Sequence, residues 1–223
     1  MDSNNKAVII NAALGGWYPQ GQKRLLKSLN VHGYPWDIMT WTNEWPNDNY
    51  DKSCPYNVKA AAFEEALKAG YTHIIWADCS MWLINPVEPL FDHINHHGYY
   101  LGQSGYNCAQ SCSDKCIEYF GLTRDEAEFI PDCQTGLFGV YVDNPLAKQF
   151  IETWIQAAKD GAFLGSRLHD NQSTDPRFQF HRQDQSCASL IAGKLGMKLY
   201  AFNKFVSYYP DNLENVIFSC RGM

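Results

Sequence analysis

Asp78 closes the apolar run Tyr71 to Ala77 (YTHIIWA), and an acidic side chain in that place is where chemistry would be expected first. A short apolar run that follows a helical segment and a glycine reads as a buried parallel strand. Ligands of open α/β sheets bind beyond the carboxyl ends of such strands, so Asp78 would face one. The competing reading makes Asp78 a turn cap, together with Ser80 and the later Asn85-Pro86. Other residues have suitable chemistry. Lys59, one turn into the helical stretch PYNVKAAAFEEALKAG, could pair with phosphate or with a carboxylate, or be a solvated lysine. Trp17 and Tyr18 lie in a loop with Gly15, Gly16 and Gly21, where aromatic faces could stack on a planar base or, for Trp17, pack into the core. In HRQDQS, His181 and Arg182 could bind phosphate or a sugar hydroxyl, while Asp184 stands where it could act on a substrate or cap the following helix.

These residues require a scaffold of alternating strands and helices. Lys6 to Asn11 reads as the first strand, Lys23 to Leu29 as a helix, Asp37 to Thr42 as a second strand, and Pro55 to Gly70 as a helix with proline in its first turn and glycine at its end. The Asp78 strand follows at once. Alternation at this spacing predicts an α/β fold with a mostly parallel central sheet flanked by helices. Further on, Pro89 to His96 reads as a short helix, and Tyr99 to Gln103 and Gln134 to Val142 as strands. A helix starts at Asn144-Pro145 and another spans about Asp184 to Leu195. Asp160 to Gln183 is polar and aperiodic, and reads as a long surface loop. In QTGLFGVYV, Gly136 and Gly139 permit a close approach of backbone to a ligand, or mark a bulge.

Composition limits the partners. The 223 residues carry 18 Lys and Arg against 24 Asp and Glu, a formal charge of −6, which argues against a nucleic-acid surface. With 45% hydrophobic and 14% aromatic residues, the chain can bury a core as a single domain over residues 1–223. The start MDSNNKAVIIN has no apolar stretch behind basic residues, and no run approaches ~20 apolar residues. The expectation is therefore a cytoplasmic protein with no transmembrane segment, whose eight cysteines are reduced thiols. Cys108, Cys112 and Cys116 share a spacing of four that suggests a metal site, but no fourth ligand falls at a typical spacing, so a loop of ordinary thiols is preferred.

Taken in order, NAALGGWYPQ, PYNVKAAAFEEALKAGYTHIIWADCS, QTGLFGVYV and HRQDQS resemble a small single-domain glycosyltransferase of the GT-A fold, of bacterial polysaccharide or large-virus type. The resemblance covers most of the chain and implies a nucleotide-binding half over 1–103 and a half for sugar and acceptor over 104–223. It implies transfer of a sugar from a nucleoside diphosphate sugar, with a UDP-sugar favoured, to a glycan hydroxyl. It also implies a divalent metal, Mn2+ or Mg2+, held on the diphosphate by a DxD-like motif, of which Ala77-Asp78-Cys79-Ser80 retains one carboxylate. The resemblance places the donor against Asn11, Ala12, Trp17 and Tyr18 on one side, and against Lys59, Ala77, Gly136, His181 and Arg182 on the other. An inverting reaction needs a carboxylate base, for which Asp184 and Asp170 are the candidates. Alternatives are a nucleotide-sugar hydrolase, a nucleotidyltransferase, or a non-catalytic carbohydrate-binding protein.

Overall fold

The computed structural model describes residues 6–164, 173–208 and 216–220. A five-stranded sheet is built from β1 (Ala7–Ala13), β2 (Asp37–Thr42), β3 (His73–Ala77), β5 (Tyr99–Asn107) and β6 (Pro131–Tyr141), in the order β2-β1-β3-β6-β5. β1 pairs in parallel with β2 and β3, whereas β6 is antiparallel to both β3 and β5. Four strands therefore run one way and β6 runs against them. The expected α/β class and mostly parallel sheet are present. The reversed strand reflects a pairing direction that side-chain patterning does not encode, since a strand buried on both faces reads the same either way. A division after Gln103 falls inside β5, and β6 lies between β3 and β5, so both halves of the chain share one sheet.

The β3 strand is central and all five of its residues are buried. Over one face lie α2 (Asn57–Lys68), α7 (Pro145–Lys159) and α8 (Asp184–Lys194); α1 (Tyr18–Val31) and α3 (Glu88–His97) cover the other. The alanine run Ala60 to Ala62 lets α2 sit close to the sheet, and Phe63 stacks on Phe138 with centroids 4.8 Å apart. A smaller sheet joins β4 (Met81–Leu83), β8 (Phe218–Cys220) and β7 (Val206–Ser207), which anchors the end of the chain beside the turn after β3. At two or three residues each, these strands are too short to show a periodicity.

Two local differences from the sequence reading have physical causes. Helix α1 begins at Tyr18, not Lys23, and so takes in Gly21, which had read as loop. A Cβ on Gly21 would come within 2.3 Å of the Cys79 carbonyl oxygen, so this glycine allows α1 to press against the turn that carries Asp78. The cysteine-rich stretch is not a loop. It forms α4 (Cys108–Ser111) and α5 (Asp114–Tyr119), followed by α6 (Arg124–Glu128). The first two are separated by extended backbone at Cys112 and capped by the side chains of Asn107 and Ser113. All eight cysteines are free and buried.

Candidate functional site

The site lies at the carboxyl end of β3, where α2, β6 and α8 meet. Asp78 is held in its turn by its own N–H, which donates to the Gly136 carbonyl at 2.8 Å, and by its carbonyl, which accepts from Met81 N–H at 2.9 Å. Trp76 and Asp78, two apart along the chain, turn to the same side. The indole Nε1 of Trp76 donates to Asp78 Oδ1 at 2.6 Å. Lys59 Nζ lies 3.2 Å from that same oxygen. Both fixed donors thus hold Oδ1, while Oδ2 lies toward Gly136, where an added Cβ would stand 3.2 Å away. The Asp78 side chain is 35% exposed.

Lys59 is the hub of this arrangement. Besides Asp78, its ammonium meets Asp184 Oδ2 at 3.1 Å and donates to the Thr135 carbonyl at 3.0 Å, so three acceptors match its three protons. Only 9% of the lysine side chain is exposed. Burial by itself would discharge such an amine, but Asp184 and Asp78 outweigh it and raise its pKa, so Lys59 remains a cation. The lysine points away from solvent and has no proton left for a phosphate.

Asp184 is not the helix cap considered from the sequence. The cap position of α8 belongs to Gln183, and Asp184 is the first residue of the helix. Its carboxylate instead accepts from the Thr135 hydroxyl at 2.7 Å and pairs with Lys59, while its carbonyl accepts from Trp154 Nε1 at 2.9 Å. Only 3% of the side chain is exposed, and burial raises its pKa against the opposing pull of Lys59 and Thr135. Gln183, just before it, has φ 47° and ψ −109°, a sparsely populated conformation for a residue with a side chain. The helix start is fixed further by Asp132, a buried carboxylate that accepts from Ser104, Ser111, Gln185 and Ser189 and so ties β5, α4 and α8 to β6.

The remaining expected residues fall into three groups. Asn11, Ala12 and Ala77 support the site from behind: the Asn11 amide donates to the Ala77 carbonyl at 2.6 Å, and the Cys79 thiol lies 3.4 Å from both Asn11 Oδ1 and the Ala12 carbonyl. Trp17 and Tyr18 stack on each other at 4.8 Å, on the β1 side of the Asp78 turn, with Tyr18 exposed. His181 is buried, and its Nδ1 accepts from Ser113 N–H at 3.1 Å, whereas Arg182 is exposed and lies 5.4 Å from the Phe180 ring. Asp170 lies outside the described residues. The sequence reading did not single out Trp76, Thr135, Asp132 or Tyr208. Trp76 was the most accessible of these, since strand periodicity aligns it with Asp78.

Among the described residues no group of three His, Cys, Asp or Glu side chains is arranged to hold a metal. The donor set offers instead the one open oxygen of Asp78, which suits a hydrated hard cation that takes its other ligands from water and phosphate. Among the same residues no helix is long and apolar enough to cross a membrane.

No protein-family model and no curated protein sequence matches the chain. A solved structure does: the crystal structure of a glycosyltransferase involved in the glycosylation of the major capsid of PBCV-1 superposes with a TM-score of 0.55. This chain shares the fold of that structure. The match covers 96% of this chain and 94% of the other at 10% sequence identity, so the likeness lies in the path of the backbone and not in the side chains.

Proposed function

We propose that the protein transfers a glycosyl group from a nucleoside diphosphate sugar, a UDP-sugar by resemblance, to a hydroxyl of a glycan acceptor. The observation that carries this reading is the presentation of Asp78: one carboxylate oxygen held by Lys59 and Trp76, the other turned toward Gly136 at the end of the central strand. Ligands of α/β sheets bind at that end, and the fold shared with a glycosyltransferase supports the same reaction class.

In this reading Asp78 would hold Mn2+ or Mg2+ together with the donor diphosphate. The bound ion would supply Lewis-acid neutralisation of the charge on the departing nucleoside diphosphate. Lys59 and Asp184 act as positioning residues, because their mutual ion pair fixes the oxygen that Asp78 presents. Trp17 and Tyr18 flank the base, the backbone at Gly136 lies beside the donor sugar, and the exposed Arg182 adds positive charge. The burial of Asp184 leaves Asp170 as the acidic side chain assigned to deprotonate an acceptor in an inverting reaction.

The deciding experiment is a panel of nucleoside diphosphate sugars incubated with the protein and Mn2+ or Mg2+, read as release of nucleoside diphosphate with and without chelator. Release from one donor class, suppressed by chelator, supports the reading. Release from none of them by folded protein overturns it.

A further inference from the structure

Aromatic side chains flank Asp78 on both sides. On the β1 side is the Trp17–Tyr18 stack, joined to the Asp78 turn through Gly21 and the Cys79 carbonyl. On the β6 side is a second pair, formed by Phe202 and Tyr208, with ring centroids 5.2 Å apart and planes inclined at 33°. Phe202 is 37% exposed, which is unusual for a phenylalanine resting on another ring. The Tyr208 hydroxyl donates to Gln134 Oε1 at 3.2 Å and lies 3.7 Å from where a Cβ on Gly136 would stand. That same point is 3.2 Å from Asp78 Oδ2, so hydroxyl and carboxylate are at most about 7 Å apart across a residue with no side chain.

The strand order gives the two pairs different tasks. β1 and β6 lie on opposite sides of β3. A nucleotide bound over the β1 side, with its diphosphate at Asp78, directs the attached sugar toward Gly136. What lies beyond that sugar is the Phe202–Tyr208 pair. A pyranose has a face of C–H bonds and a rim of hydroxyls, and an aromatic surface with a polar tip complements both. Tyr208 supplies the tip: burial and the nearby Asp78 hold its hydroxyl neutral, and the Arg182 charge acts on the same group. We propose that Phe202 and Tyr208 form the platform on which the acceptor sugar lies, its C–H face against Phe202 and a hydroxyl rim toward Tyr208 and Arg182. The ligand class is an acceptor that ends in a pyranose with one unobstructed C–H face, of which a β-glucopyranoside is an example. This assignment rests on the glycosyl-transfer reading and names the substrate class for it.

Saturation-transfer NMR on the full chain tests it, with methyl β-D-glucopyranoside as the probe and UDP and Mn2+ present throughout. The wild-type protein is expected to saturate the ring protons of one sugar face. Phe202→Ala should bind the glycoside between about threefold and tenfold more weakly, the usual worth of one aromatic contact, and Phe202→Tyr should restore it. Phe129→Ala, which removes another exposed phenylalanine, should leave the glycoside signal in place, and an equal loss there would overturn the assignment. Equal glycoside signals from wild type and Phe202→Ala, or none from wild type, overturn the assignment. Failure of the transfer reading has a different signature, namely no nucleoside diphosphate release from any donor.

Discussion

Lys59→Met should destabilise the protein far more than an ordinary lysine substitution, and in a way that depends on pH. At 3.1 Å from Asp184 and 3.2 Å from Asp78, the ammonium interacts with each carboxylate by roughly 5 kcal/mol at an effective dielectric of about 20. Much of this offsets the cost of burying the charges. What the variant exposes is the cost of leaving Asp184 unpaired, about 3–5 kcal/mol when a buried ion pair loses one partner. At roughly 2–4 °C per kcal/mol for a chain of this size, Tm should fall by about 10 °C. In the variant, burial acts on Asp184 with no nearby cation to oppose it, so its pKa rises further above the ordinary carboxylate value. A group whose folded pKa is raised stabilises the fold below its unfolded pKa, and that contribution is lost as pH rises through the folded value. The variant should therefore lose stability as pH rises above the ordinary carboxylate value, on a limb steeper than that of wild type. Adding Asp184→Asn removes the stranded charge and should recover about 1–2 kcal/mol, a non-additivity that marks direct coupling. Calorimetric scans of wild type, both single variants and the double variant across this pH range provide the measurement. An unchanged Tm for Lys59→Met, or strictly additive effects, would refute the three-residue network.

Asp78→Asn should keep Tm within a few degrees, because the side chain is partly exposed and Asn still accepts from Trp76 and Lys59. It should lower nucleoside diphosphate release by about 10²-fold or more, the scale of losing a placed electrostatic group; full activity in the folded variant would remove Asp78 from the site. Thiol titration in denaturant without reductant should count eight, and the native protein should react slowly, because all eight thiols are buried and burial raises the pKa of Cys108, Cys112 and Cys133 well above the usual thiol value. His93 is held at about 4 by burial and by the charges of Lys204, His97, His96 and Lys198 around it. A depressed folded pKa means that its contribution is present above about pH 6.5 and lost toward pH 4. Tm should fall on acidification through that window, and His93→Gln should flatten that part of the curve; an unchanged slope would place the acid sensitivity elsewhere.

The central strand, the helix before it and Asp78 at the strand's end could be read from the sequence, because each is set by neighbours close along the chain. Periodicity gave the elements, and proline and glycine gave their ends. The direction of β6 was not legible, since a buried strand has the same apolar pattern whichever way it runs. Nor were the short helices around Cys112, which are specified by the caps Asn107 and Ser113 and not by an apolar stripe. The C-terminal strands that carry Tyr208 toward Asp78 follow from pairing with β4, a long-range contact with no local signature.

Asp184 shows most clearly where local reading ends. From its neighbours it could only be a helix cap or a free acid, since both are roles that a single residue at a helix start can fill. Its actual partners, Lys59 on α2 and Thr135 on β6, come from elements far apart in sequence and brought together by the sheet order. The result is a buried carboxylate paired with a lysine that also holds Asp78. A DxD pair would place two acids at one strand end and direct both toward a cation. Here one acid is at the strand end, and the second charge of that sign has moved behind it, with a fixed ammonium between the two. That geometry leaves Asp78 a single open oxygen, which makes any metal in the site depend on the donor diphosphate for most of its ligands. Divalent-ion affinity should therefore be weak for the protein alone and tighten once a nucleoside diphosphate is bound, and titration with and without UDP separates this arrangement from a preformed two-carboxylate clamp.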